Sequence, residues 1–269
     1  MVCGCGRSED GCMGWHALTE EEYKVEYEKF VQEKDGNYMI REVEHYTDTL
    51  FKFIVDRPKD FVFKPGQFTM IGMEGTPKRA YSVVSGPEDD YLEFYSIKVP
   101  DGALTSKLKD INPGDFIYVS NRSTGNLMVE NLDEGTDLWL LATGTGIAPF
   151  ISMLCDDYTY GRFTNIHVVW SVREKEELNS FDQWLRNLPI NYTPIVTRDD
   201  TWRGINQRIT KLIEDKVILK DSTPDKDKVM LCGNMDFNKE IKFLLESRGW
   251  KEGSNRENGS FVLEKAFVG

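Results

Sequence analysis

Between about Asn37 and Val129, apolar residues come in short alternating runs. Residues 38–46, 50–55, 67–73, 80–85, 92–98 and 115–120 read as strands, because alternation puts every second side chain on one face. Turn signals separate them: Asp35-Gly36, Arg57-Pro58, Lys64-Pro65-Gly66, Ser85-Gly86-Pro87 and Pro113-Gly114. Regularly spaced short strands predict an antiparallel barrel. Past about Glu134 the period changes. Apolar runs at 138–142, 166–171, 193–197, 229–232 and 261–267 alternate with helix-like stretches at 149–158, 175–188, 205–216 and 237–248. This alternation predicts a parallel sheet covered on both faces, with ligands beyond the carboxyl ends of its strands. The expected division is a flexible N-terminal extension over 1–34, with a short helix in its charged second half, then a barrel over 35–133 and an α/β domain over 134–269.

A length of 269 residues accommodates two domains, and 40% hydrophobic with 29% charged residues is an ordinary globular balance. No apolar run approaches the roughly 20 residues that span a bilayer, so no integral membrane segment is expected. The N-terminal residues lack an apolar core of the secretory type, so no such signal is expected either. A net charge of −12 argues against nucleic acid, which calls for a basic surface. It leaves room for an acidic protein partner, because steering depends on local patches. Five cysteines, an odd number, do not read as a disulfide framework, and a reducing, cytoplasmic compartment is expected. Cys3, Cys5, Cys12 and His16 are zinc-type donors, but C-x-C departs from the usual spacing; a solvated tail without metal is expected.

Arg79-Ala80-Tyr81-Ser82 puts a cation, an aromatic face and a hydroxyl on one short strand. The guanidinium can fork onto a pyrophosphate, the tyrosine can lie on an isoalloxazine ring, and Ser82 can donate to its N5. The plainer reading is an edge arginine, a core tyrosine and a turn serine. Downstream, Asp101-Gly102-Ala103-Leu104-Thr105-Ser106 is a glycine turn at a helix start, which offers amides to a phosphate. Gly144-Thr145-Gly146 follows the first strand of the α/β half; it lacks the G-x-G-x-x-G pattern, and every βα unit needs a tight turn. Arg173, Thr197-Arg198, Arg203 and Arg208 follow the next strands. Arginines gathered at strand ends suit the 2′-phosphate of NADP, or else pair with Glu176, Glu177, Asp199 and Asp200. Cys232-Gly233-Asn234 ends a further strand, where a thiol can meet a nicotinamide or be a buried structural cysteine.

Together these motifs resemble the plant-type ferredoxin–NADP+ reductase family, in its bacterial branch. Arg79-Ala80-Tyr81-Ser82 resembles its R-x-Y-S flavin motif, preceded by Gly66-Gln67-Phe68; residues 229–234 resemble its V-M-L-C-G-N strand end, and residues 264–268 its E-K-A-F-V segment. The resemblance covers about residues 38–269. It implies an antiparallel Greek-key β-barrel for FAD, then a Rossmann-like α/β domain for NADP. Arg79, Ala80, Tyr81, Ser82, Ser96, Ile97, Lys98, Val99, Ala103, Leu104, Thr105 and Thr143 would hold FAD. Ala266 would lie near the isoalloxazine and Phe267 would contact the cofactor, in place of the aromatic terminus of plant enzymes. Gly144, Thr145, Gly146, Arg173, Thr197, Arg198, Arg208, Cys232, Gly233 and Asn234 would hold NADP, with Ser82, Cys232 and Glu264 nearest the chemistry. The implied activity is hydride transfer between NADP(H) and FAD, coupled to one-electron exchange with ferredoxin or flavodoxin. Lys78, Arg79, Lys98, Lys107 and Lys109 would rim the carrier site, and a monomer is expected. The alternatives are a reductase component serving an oxygenase or a siderophore, and a flavin-free NADP-binding sensor. No C-x4-C-x2-C cluster motif is present, so a fused [2Fe–2S] domain is not expected.

Overall fold

Phe51, Phe53, Val55, Leu92 and Phe94 are fully buried, and their alternation along two neighbouring strands sets the inside of the first half. A computed structural model describes Arg7, residues 13–99 and residues 101–265; of these, the side chains of Lys34 and Lys265 are left out. Helix α1 (Glu20–Lys34) precedes β1 (Asn37–His45), β2 (Leu50–Asp56), β3 (Phe68–Gly72), β4 (Arg79–Ser82), β5 (Tyr91–Ile97), the single-turn α2 (Thr105–Leu108) and β6 (Phe116–Thr124). The six strands pair antiparallel in the order β4-β3-β6-β1-β2-β5. Just past β4, the amide of Val84 donates to Glu93 O on β5 at 2.9 Å, which brings the two edges together into a barrel. Gly66 is obligatory in the turn before β3. Its φ is +94°, and a Cβ there would lie 1.8 Å from the carbonyl oxygen of Leu127.

Residues 20–34, expected within a flexible extension, form a docked helix. Thr19 accepts from the amide of Glu22 while the Glu22 carboxylate takes the Thr19 amide, a reciprocal cap. Tyr23, Tyr27 and Phe30 share a face at helical spacing and close edge-on around the buried Trp15, with Phe30 at 5.3 Å. Lys29 reaches Asp56 on β2 at 2.8 Å, and Arg41 reaches the same carboxylate at 2.5 Å. Burial alone would raise the Asp56 carboxyl, but hydrogen bonds from Lys29 and Arg41 outweigh it and hold it below the ordinary 3.8. A depressed folded value contributes stability above the unfolded pKa, and this is lost as pH falls through the folded one. Asp56→Asn is expected to cost about 1–3 kcal/mol at pH 7 and almost nothing near pH 2, read by urea unfolding at both. Cys3, Cys5 and Cys12 lie outside the described residues; among those described, no His, Cys, Asp and Glu group has metal-site geometry.

The second half contains β7 (Asp137–Thr143), α3 (Ala148–Leu154), α4 (Asp157–Arg162), β8 (Asn165–Val172), α5 (Asn179–Arg186), β9 (Asn191–Val196), α6 (Ile209–Glu214), β10 (Asp227–Gly233), α7 (Met235–Glu246) and β11 (Phe261–Lys265). The five strands are all parallel, ordered β11-β10-β7-β8-β9. Leu138, Leu140 and Ala142 of β7 face α3 and α5, whereas Leu141 faces α6 and α7. Two expected helices are interrupted. The 149–158 stretch breaks at Cys155, and Asp156 caps α4; the 175–188 stretch begins as a 3-10 turn and becomes α-helical only from Asn179. The first core cluster also takes in Leu50, Val84, Tyr95, Leu127 and Val129 from the barrel side, so the two halves share one hydrophobic contact. Among the described residues, no helix is long and apolar enough to cross a membrane.

Candidate active site

The parallel sheet changes direction of winding between β7 and β10, since β8 and β9 extend from one side of β7 and β10 and β11 from the other. That switch point is where open α/β sheets leave a crevice beyond the strand ends. Gly146 makes the turn close-packed there, because a Cβ would stand 2.2 Å from the backbone oxygen of Cys232. Gly233 is equally tight against the Thr143 hydroxyl, at 2.4 Å. The indole of Trp170 donates to Gly144 O at 2.8 Å and pins the start of the turn. Gly146→Ala must push β10 away from β7 and is expected to cost about 2–4 kcal/mol, measured by chemical unfolding. Unfolding within 0.5 kcal/mol of the parent would sink this reading of the turn.

A cleft of about 720 Å³ opens over the switch point. Thr143, Gly144 and Thr145 form its floor, Arg173, Thr197 and Arg198 one side, and Arg208 and Asn234 the helix starts. Ile97, Lys98 and Val99 face them from the barrel. The amide of Arg198 donates to Arg173 O at 2.8 Å, which sets these two residues side by side. Two of their expected acidic neighbours take backbone or hydroxyl donors instead. The Glu177 carboxylate accepts from the Arg173 amide at 3.1 Å, and Asp199 accepts from the Thr201 amide and hydroxyl. Among the described residues, the guanidinium groups of Arg173, Arg198 and Arg208 make no ion pair. Three unpaired cations in one cleft of a chain of charge −12 fit a polyanionic ligand. Arg203 does not line the cleft. Tyr95, Glu177, Asn206, Asp236 and Glu240 also line it and were missed; only Asp236 and Glu240, one helical turn apart after a strand end, left a sequence signal.

A slot of about 40 Å³ adjoins the cleft through Tyr95, Ile97 and Thr145. Ala80, Tyr81 and Ser82 of β4, Ser96 of β5, Thr105, Ala148 and Cys232 complete its lining. It does not enclose a tricyclic ring; the fit to a flavin is one of donor set. Tyr81 is held edge-on by Phe53 and Phe94, both at 6.3 Å, and its hydroxyl meets Ser96 Oγ at 3.0 Å. Among the described residues, the Ser82 hydroxyl has no hydrogen-bond partner and the Arg79 guanidinium has one, Lys78 O at 3.4 Å. The 103–105 turn departs from expectation. Leu104 is buried and offers backbone alone, Ala103 is exposed outside both cavities, and the Thr105 hydroxyl already accepts from the Val99 amide at 3.2 Å.

Register pairs Cys232 of β10 with Glu264 of β11. Burial, and then the Glu264 charge, push the Cys232 thiol well up, so it is neutral. Burial also raises the Glu264 carboxyl to about 8. The amides of Asn126 and Leu127 pull it back, yet among the described residues neither oxygen makes an aligned hydrogen bond. Asn238, which the sequence did not single out, ties the two strand ends by donating to Glu264 O at 2.8 Å and Gly233 O at 3.3 Å. Ala266 and Phe267 lie outside the described residues.

Over 250 residues the chain is 39% identical to the flavodoxin/ferredoxin–NADP reductase of Rhodobacter capsulatus, spanning 86% of this chain and 92% of the relative. It is 40% identical to ferredoxin–NADP reductase A of Sorangium cellulosum, spanning 86% and 89%. The chain belongs to the ferredoxin–NADP reductase family. A crystal structure of a family member, the ferredoxin NADP+ reductase from Neisseria gonorrhoeae with bound FAD and NADP, matches it with a TM-score of 0.81 at 32% identity, covering 86% of this chain and 98% of that one. Residues 140–242 match the oxidoreductase NAD-binding domain family. The chain is accordingly an enzyme, a reductase built from an antiparallel barrel and a parallel α/β sheet.

Proposed function

We propose that this reductase transfers hydride between NADP(H) and FAD and exchanges single electrons with ferredoxin or flavodoxin. One observation carries the reading: the arginine-lined cleft and the Tyr81–Ser82–Cys232 slot open side by side and share Tyr95, Ile97 and Thr145. When bound, FAD supplies the chemistry that couples a two-electron donor to a one-electron carrier. Arg79 would take the flavin pyrophosphate, with Tyr81, Ser82 and the 96–99 strand along the ring side. Gly144 and Thr145 would support the nicotinamide half of NADP, with Thr143 beside them toward the flavin. Arg173, Thr197, Arg198 and Arg208 would take the 2′-phosphate. Cys232 offers a neutral, polarisable sulfur in the lining of the slot, and Glu264 holds a proton below about pH 8. The protein's largest contribution would be positioning, holding both rings at near-attack distance.

The carrier would dock on the rim of Lys78, Arg79, Lys98, Lys107 and Lys109. Lys109 is paired with Asp110 at 2.7 Å and Lys78 lies 3.1 Å from the Tyr118 ring centroid, so part of this charge is already engaged. The division into 35–133 and 134–269, a monomeric state and a cytoplasmic location belong to the same proposal. The free thiols of Cys155 and Cys232 favour that location. The deciding experiment is oxidation of NADPH and NADH with ferredoxin, flavodoxin and ferricyanide as acceptors. A yellow protein that prefers NADPH, and that reduces a carrier more slowly as salt rises, supports the reading. A colourless protein that cannot take up FAD, or equal use of NADH, overturns it.

A further inference from the structure

Asn179 is one of four described non-glycine residues with positive φ, and its backbone sits at φ 42°, ψ −157°. That region is nearly reserved for glycine, so surrounding contacts must hold it. Its side chain is fully engaged. Oδ1 accepts from the Phe181 amide at 2.8 Å, which fixes the amide orientation and turns Nδ2 the other way. Nδ2 then donates to the Tyr95 hydroxyl and to Glu177 O at 3.0 Å. Tyr95 comes from barrel strand β5, is 4% exposed and lines both cavities. Phe181 stacks edge-on against its ring at 5.2 Å, and Ser180 meets the Tyr46 hydroxyl at 2.9 Å. From Glu177 the connection continues to the cleft, since its carboxylate takes the Arg173 amide and Arg173 O takes the Arg198 amide.

We propose that Asn179 is a positioning residue that latches the 173–179 loop of the α/β domain onto Tyr95 of the barrel, and so sets where Arg173 stands for the 2′-phosphate of NADP. The inference rests on the functional reading above. The helix 175–188 expected from the sequence is broken at this point because the chain turns to reach the barrel; an uninterrupted helix would carry Asn179 without the positive φ. The strain is confined to one residue, two of whose hydrogen bonds brace its own loop while the third crosses to the barrel, so one local geometry is fixed against the other domain.

The test uses FAD-loaded enzyme and titration calorimetry with 2′-phospho-AMP and AMP as probes. Asn179→Gly relieves the backbone strain while removing all three bonds, so it separates the latch from folding. Tyr95→Phe removes the hydroxyl alone. Both are expected to weaken 2′-phospho-AMP by about tenfold while leaving AMP within about twofold, and to raise the KM for NADPH with kcat little changed in Asn179→Gly. In an Arg173→Ala background, Asn179→Gly is expected to add no further loss, because its effect passes through Arg173. Unchanged 2′-phospho-AMP affinity, or an equal loss with and without Arg173, overturns the latch. A parent enzyme that does not prefer 2′-phospho-AMP to AMP overturns the underlying phosphate reading and the latch with it.

Discussion

Replacing Arg198 and Arg208 together by alanine is expected to lower kcat/KM for NADPH by about 100- to 1,000-fold, with NADH changing by less than about threefold. Each guanidinium is free of acidic partners among the described residues and lines the same cleft. A charge-assisted hydrogen bond to phosphate is worth about 1.5–3 kcal/mol, and about 1.4 kcal/mol is tenfold. Arg208 immediately precedes α6 and Arg198 follows β9, so the pair grips from two elements. Lysine at either position is expected to recover only part of the loss, because the planar fork is gone. Steady-state rates with ferricyanide measure this without involving the carrier. Equal losses for both nucleotides would mean that the arginines hold the fold or the pyrophosphate.

Glu264→Gln is expected to remove a pH dependence of both stability and turnover. The carboxyl is raised from 4.5 to about 8 by burial. The folded state therefore binds the proton more tightly than the unfolded one. This favours folding fully below the unfolded pKa, and the benefit is lost as pH rises through the folded pKa. At about 1.4 kcal/mol per pH unit, the loss between pH 5 and 8 reaches about 3–4 kcal/mol in the parent and is absent in the glutamine variant. Urea unfolding across that range measures the difference. If Glu264 also supplies or holds a proton during turnover, Glu264→Gln slows carrier-linked turnover by about 10- to 100-fold near pH 7 and abolishes the decline above pH 8. Identical pH profiles for the two proteins would remove Glu264 from the reaction.

Strand positions were readable because a half-buried strand writes its own alternation. The strand expected over 80–85 is β4 at Arg79–Ser82, and the other expected strands likewise fall within a few residues of their places. Helix interruptions were not readable. The break at Asn179 answers to Tyr95, 84 positions earlier in the chain, and no local propensity records that partner. Residues 20–34 read as no more than a short helix in a flexible extension, because what docks them, Trp15 against the aromatic face and Asp56 of β2 against Lys29, lies outside the helix's own sequence. At the site, Arg173, Arg198 and Arg208 stood out as cations after strands, but whether they paired with neighbouring acids depended on where Glu177 and Asp199 pointed. Tyr95 and Asn238 carried no signal, since tyrosine in a strand and polar residues near helices are ordinary.

By itself the sequence determined the two-part architecture, the order of its strands along the chain and the motifs that align it with a reductase family. Those are local or nearly local properties, set by periodicity, turn chemistry and residue type. The tertiary structure decided which strand ends meet, which arginines lack an acidic partner among the described residues, and that burial raises the Glu264 carboxyl to about 8. Each of these depends on burial and on partners distant in the chain, and electrostatic free energy follows that surrounding rather than the residue's own identity.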